Sequence, residues 1–171
     1  MNPLEPPDLM YLNAAEGWLG LGDWREANEE LEKIGPQNRA HPDVLEVRYE
    51  VYAKATKWDA CVDIAEAIVK LTPERAFGWI RRSFALHETK RSREALEKLL
   101  PAMTLFPMDI TIRYNLACYE CVLGNTGKAK LRLAQAFDLA QKEGCFNEYR
   151  LMATEDRDLE PLWGALGEAE V

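Results

Sequence analysis

The sequence predicts an all-α fold of helix pairs that repeat about every 34 residues. Three observations carry this expectation. Trp24 and Trp58 stand 34 residues apart, and small residues three positions later keep the period at Ala27, Cys61, Ala95 and Ala129. Leu31, Ala65, Leu99 and Leu133 recur at the same interval, as do Pro73 and Pro107. No stretch alternates apolar and polar residues as a half-buried strand would. A period of this length marks an array of helix-turn-helix units, each burying its apolar face on the next.

The elements follow in order. Pro3, Pro6 and Pro7 keep the opening extended, and Asp8 is placed to cap a first helix running to about Leu21. Gly22-Asp23 turns the chain into a second helix, Trp24 to Ile34. Gly35 in a left-handed C-cap, followed by Pro36, is expected to end it. A polar loop from Gln37 to Pro42 leads to a second pair, Asp43 to Ala55 and Trp58 to Leu71, with Asp43 and Glu46 at capping-box spacing. The third pair joins Pro73–Glu88 to Ser92–Thr104, with Thr72 as cap and Pro73 at the first helical position. The fourth joins Asp109–Leu123 to Thr126–Lys142, closed by Gly144. Gly22 and Gly124 share one phase of the period, with Thr56 and Lys90 between them.

These pairs place units at 8–41, 42–75, 76–109 and 110–143 of a single domain, 1–171. Residues 144–171 depart from the period. They are expected to hold short helices at Phe146 to Met152 and Asp158 to Leu166, and to act as a capping segment, because an array leaves its last apolar face uncovered. Leu159, Leu162, Trp163 and Leu166 form the helical stripe that would supply the cover.

Composition narrows the function classes. Apolar residues make up 47% of the 171 and charged residues 29%, an ordinary globular balance. The net charge of −8 argues against nucleic acid as the main partner, since phosphate binding needs a basic face, and favours basic or neutral peptides. No run approaches the roughly 20 apolar residues of a membrane span, and Met1 to Met10 carries no basic-then-apolar leader. A cytoplasmic protein is therefore expected, where the four cysteines stay reduced. Cys61 shares its phase with alanines and reads as a small core residue.

The pattern resembles the tetratricopeptide repeat (TPR). Unit one matches it with Tyr11, Ala15, Trp18, Gly22, Trp24 and Ala27, and unit two with Tyr52, Trp58, Cys61 and Pro73. Unit three matches with Trp79, Ser83, Ala95 and Pro107, and unit four with Leu116, Ala117, Gly124 and Ala129. Tyr49 stands where a small residue is usual, Arg48 and Arg82 replace a leucine at a position expected to be partly solvated, and Ser92 and Thr126 replace the turn aromatic. The stretch from Tyr114 to Tyr119 and the closing Asp156-Arg157-Asp158-Leu159-Glu160-Pro161-Leu162-Trp163 resemble the last repeat and tail of bacterial proteins of this kind. The resemblance implies a right-handed α-solenoid and a bacterial, cytosolic interaction protein.

Motifs for chemistry are sparse. Cys118 and Cys121 form a Cys-x-x-Cys, but a redox pair sits at a helix N-terminus, and this one is expected mid-helix. A zinc site wants four ligands, and the only histidines are His41 and His87, neither in a ligand motif. Gly17, Gly20 and Gly22 end a helix rather than open one after a strand, so they form no phosphate loop. No catalysis, cofactor or metal is expected. A thiol- or metal-dependent activity at Cys118 and Cys121 is the alternative of another class.

The TPR fold lines its concave groove with the first helix of each unit. Its inward phases give Leu9, Leu12, Asn13 and Glu16, then Asp43, Glu46, Val47 and Glu50, then Phe77, Ile80, Arg81 and Phe84, then Thr111, Tyr114, Asn115 and Cys118. The expected peptide-binding residues are Phe77, Arg81, Phe84, Tyr114, Asn115 and Cys118, with Glu46 and Glu50 on the acidic side. Aromatic anchors beside an arginine and an amide suit a binding hot spot, and the same aromatics would equally suit packing between units. The carboxylate clamp of some TPR domains falls here on Leu12, Glu16, Val47, Phe77 and Arg81, where only the arginine fits, and that specialisation is rejected. The function expected is a non-catalytic scaffold or adaptor holding a peptide or helix, with a secretion-type chaperone as the alternative. No nucleic acid or membrane partner is expected, and a homo-oligomer is compatible with the sequence.

Overall fold

The structure, a computed structural model, describes residues 3–164. Every regular element among them is helical: α1 Asp8–Gly20, α2 Trp24–Lys33, α3 Pro42–Lys54, α4 Trp58–Leu71, α5 Ala76–Glu88, α6 Ser92–Leu99, α7 Ala102–Leu105, α8 Ile110–Val122, α9 Thr126–Glu143 and α10 Phe146–Glu155. Two 3₁₀ turns, Pro36–Asn38 and Arg157–Leu162, complete the set. The chain packs as two compact units, Met1–Ala85 and Leu86–Val171.

Four turns stand at one phase of the period and share one conformation. Gly22, Thr56, Lys90 and Gly124 all have positive φ, at 83°, 54°, 65° and 81°. The bonds around them are the same. In the first, Gly22 N–H donates to the Leu19 carbonyl and Asp23 N–H to that of Trp18; in the second, Thr56 donates to Ala53 and Lys57 to Tyr52. Lys90 and Arg91 repeat the pattern on His87 and Leu86, and Gly124 and Asn125 on Cys121 and Glu120. This is the Schellman closure, which satisfies the last carbonyls of a helix and needs a left-handed residue. Glycine adopts it freely, and Thr56 and Lys90 do so against the clash of Cβ with the following carbonyl.

In the first unit, α1 packs on α2, α2 on α3, and α3 on α4. The helices approach closely because Ala15, Ala27, Cys61 and Ala65 are fully buried. Larger side chains fill around them. Leu12, Leu31, Ile34, Val44, Val47 and Val51 form one cluster, and Tyr49 joins Cys61, Ala65 and Ala85 in another. Tyr49 stands in a small-residue phase yet is buried, its hydroxyl donating to the Arg81 carbonyl at 2.9 Å. Gly78 is equally constrained, since a Cβ there would lie 3.0 Å from the Val69 amide nitrogen and 2.9 Å from Ile68.

Arg48 keeps a small exposed share, whereas Arg82 corrects the expectation of partial solvation. Their side chains are only 13% and 6% exposed, and each reaches a carboxylate at 2.7 Å, Arg48 to Glu32 and Arg82 to Glu66. Both members of the pair recur at the 34-residue interval. A buried guanidinium needs such a partner to offset its lost hydration.

In the second unit α6 and α9 pack on α8, and α10 packs on α9. Ala95, Leu99, Ala102, Ile112, Leu116, Ala117, Ala129 and Ala136 are fully buried. The Arg157–Leu162 turn lies on α8 and α9, burying Leu159 and Leu162. Trp163 is half-buried and donates from Nε1 to the Ala153 carbonyl at 3.0 Å. Leu166, the last member of the expected stripe, lies outside the described residues.

Several ends differ from expectation, each for a physical reason. The helix expected over 92–104 breaks at Pro101, which has no N–H to give and clashes with the preceding turn, so α6 ends at Leu99 and α7 restarts at Ala102. Asp8 does not cap its own helix. It accepts from the Gly35 amide at 3.0 Å and the Asn38 side chain at 2.6 Å, tying the start of α1 to the loop after α2. These bonds, the backbone one above all, hold its carboxyl below the usual value. Gly35 is not left-handed, at φ −57°. His41 Nδ1, not Asp43, caps α3 by accepting from the Asp43 amide. Thr72 closes α4 by donating to the Ile68 carbonyl, and α5 starts at Ala76. Asp156, not Asp158, caps the closing turn.

Candidate functional site

The first unit carries an open cleft of about 340 Å³, lined by Glu16, Leu19, Asp43, Glu46, Val47, Glu50 and Phe77. That lies at the lower end of the roughly 300–1,000 Å³ range of ligand pockets. Glu16 and Leu19 come from α1, the next four from α3 and Phe77 from α5. Residues four apart on α3 share a face, which is why Asp43, Val47, Glu46 and Glu50 line one wall.

The electrostatics are lopsided. One nitrogen of Arg75, Nη1, lies 2.9 Å from both Asp43 and Glu46. Arg81 reaches Glu50 at 2.7 Å. Its guanidinium lies 5.2 Å from the Phe77 ring centre and 5.8 Å from that of Tyr49, while the two rings meet edge to face at 6.0 Å. Glu16 makes no ion pair among the described residues. Burial pushes the Glu46 carboxyl above its usual value, Arg75 opposes that rise and Asp43 adds to it.

Of the binding residues expected from sequence, Glu46, Glu50, Phe77 and Arg81 come together here. Phe84 lies in the same unit with its ring 5.7 Å from that of Trp58, and remains 36% exposed. The others lie in the second unit. Asn115 is half-buried, whereas Tyr114 and Cys118, expected on an open surface, are each only 4% exposed. The closing segment covers them. Tyr114 donates its hydroxyl to Asp156 Oδ2 at 2.9 Å, and the Cys118 thiol donates to the same oxygen at 3.5 Å. His87 joins this network, with Nε2 at 2.8 Å from Asp158 and Nδ1 at 2.9 Å from the Ser92 hydroxyl. Tyr149 packs edge to face on Tyr114 and shares a hydrogen bond with Thr111 at 3.0 Å. The tail motif and the helix motif singled out in the sequence are thus two halves of one contact. The residue between them that sequence reasoning missed is His87.

The thiols are poorly placed for nucleophilic work. Both thiols are buried, Cys118 inside α8 and Cys121 beside its C-terminal residue Val122, and burial raises both, with the Asp156 and Asp158 charges adding to it. A reactive thiol needs the opposite, an electropositive and partly exposed setting. Burial likewise lifts Cys61 to about 11. The Cys118 sulfur and one oxygen each of Asp156 and Asp158 lie within 4.8 Å of one another, three donors that a divalent cation could share. Tetrahedral zinc would still need a fourth.

Comparison with known proteins agrees with this architecture. The chain is 27% identical over 116 residues to the peroxisomal targeting signal receptor of Candida glabrata, covering 68% of this chain. It spans about a fifth of that relative's length, 20%. Among solved structures, a MamA fragment from Desulfovibrio magneticus RS-1 superposes with a TM-score of 0.74 at 19% identity, covering 98% of this chain and 97% of that one. The thermophilic TPR protein TTC0263 of Thermus thermophilus superposes at 0.66 with 17% identity, covering 95% and 96%. No family model matches the sequence. The fold is the all-α fold of these TPR structures.

Proposed function

We propose that the chain is a non-catalytic protein-interaction module that holds a peptide or helix in the cleft of its first unit. The observation that carries this reading is the pairing of an apolar floor, Leu19, Val47 and Phe77, with a polar rim from α1 and α3. Apolar surface gives affinity and placed polar groups give orientation, as in other binding clefts. Phe77 and Arg81 are the anchors, with Glu46 and Glu50 opposite them and Phe84 extending the surface within the unit. Tyr114 and Cys118 serve the tail contact instead, and Asn115 belongs to that unit.

The experiment is site-specific photo-crosslinking. A photoreactive amino acid replaces Glu16 at the cleft rim, and in a second variant Glu143 at the end of α9. Each is irradiated in extract of the native host, and the adducts are identified by mass spectrometry. A discrete adduct from position 16 that is absent from position 143, and whose purified partner binds the unmodified chain, supports the reading. Adducts from position 143 alone would overturn it.

A further inference from the structure

We infer that the cleft of the first unit takes a cationic side chain, a lysine or arginine flanked by apolar residues, from a partner protein. This rests on the reading of the cleft as a peptide-holding site and adds the chemistry of what it holds.

Charge complementarity is the reason. Four carboxylates bound the cleft, Glu16, Asp43, Glu46 and Glu50, and two guanidinium groups answer them, Arg75 and Arg81. The balance is two negative charges in excess. Arg75 divides one nitrogen between Asp43 and Glu46, so neither has a cation to itself. Burial raises the Glu46 carboxyl, and the neighbouring Asp43 adds to that rise. An anionic ligand would add to this repulsion, and a neutral one would leave it in place. A cation relieves it.

The floor refines the choice. Leu19 and Val47 offer apolar surface for the alkyl stem of a lysine or arginine, which lies along such surface while its head reaches the rim. Glu16 stands at that rim, exposed and without an ion pair among the described residues, so its carboxylate is open to an arriving cation.

The test uses the full chain and three fluorescein-labelled peptides that alternate leucine with lysine, with serine or with glutamate. Binding is read by anisotropy at low and moderate salt. The expected result is tightest binding of the lysine peptide, about tenfold over the serine peptide, falling as salt rises. The double variant Glu16→Gln, Glu50→Gln should lose that margin while retaining wild-type helical content and melting temperature. Equal binding of the lysine and serine peptides overturns the charge inference and leaves the peptide-holding reading standing. Preference for the glutamate peptide overturns it as well. Failure of all three peptides to bind counts against both. Should the double variant unfold, Glu16→Gln alone carries the comparison, because Glu16 is exposed and its carboxylate pairs with no described residue.

Discussion

Replacing Thr56 by glycine should stabilise this protein, although it deletes a side chain and introduces the most flexible residue. Thr56 sits at φ 54° between α3 and α4, where Gly22 and Gly124 sit in the corresponding turns. A non-glycine residue in the left-handed region costs about 1–2 kcal/mol. Glycine loses more backbone entropy on folding, about 0.5–1 kcal/mol relative to alanine, which offsets part of the gain. The Thr56 side chain is exposed, so little packing is lost. The net expectation is a stabilisation of about 0.5–1 kcal/mol. For a chain of this size that raises the melting temperature by about 1–4 °C. Thermal unfolding followed by far-ultraviolet circular dichroism, with urea titration as a check, measures it. Lys90→Gly, from φ 65°, should act in the same direction by less, since lysine is not β-branched. Gly124→Ala should cost about 1 kcal/mol. A Thr56→Gly protein that melts below the wild type would refute the account of the turn as strained.

Three other expectations concern single contacts. Asp8→Asn should destabilise the protein at neutral pH, because the two donors at Gly35 and Asn38 favour the charged form. The folded-state value is lowered, so the contribution is complete above the unfolded value near 3.8 and is lost as pH falls through the folded one. Melting curves of the two proteins should therefore converge toward acid, and a gap that widened there would contradict the assignment. Tyr114→Phe removes the donor to Asp156 and should cost about 1.5 kcal/mol; limited proteolysis should cut first within 145–164, and a cut elsewhere would show that Tyr114 does not hold the tail. Titration of the native protein with a disulfide reagent at about pH 8 should label the half-buried Cys145 first and leave Cys61, Cys118 and Cys121 until denaturant is added. Rapid labelling of Cys118 would reopen the thiol reading.

The repeat made most of the fold legible, because its signals are local and periodic. Small residues at 27, 61, 95 and 129 are all buried, and Thr56 and Lys90, which share the phase of Gly22 and Gly124, take the positive φ that their residue types do not announce. The helix break at Pro101 was written in the chain, but the surrounding apolar pattern runs through it. The capping roles of Asp8 and Asp43 misled for a different reason. Capping motifs assume a local partner, and Asp8 finds its donors 27 and 30 residues away. The site divided in the same manner. Glu46, Glu50, Phe77 and Arg81 converge because they lie on adjacent helices of the repeat. Tyr114 and Cys118 share the expected phase, yet a tail outside the period covers them, and no periodicity foretells where an aperiodic segment docks.

The pairs Arg48–Glu32 and Arg82–Glu66, each a sequestered guanidinium on a solvent-reached carboxylate, bear on how such a chain can diversify. One period further on, the same two positions hold Leu116 and Leu100. Either combination satisfies the helix pair, the ionic one by mutual neutralisation and the apolar one by needing none. A mixed unit, arginine opposite leucine, would leave a desolvated charge alone, at about 3–5 kcal/mol. The glutamate cannot change first without crossing that barrier, whereas the arginine can, because Glu32 and Glu66 are 48% and 34% exposed and stay hydrated alone. The route between the two versions of the repeat is therefore ordered, arginine before glutamate. A copied unit passes such a pair on whole, and later substitution converts it to the apolar version in one order and not in the other.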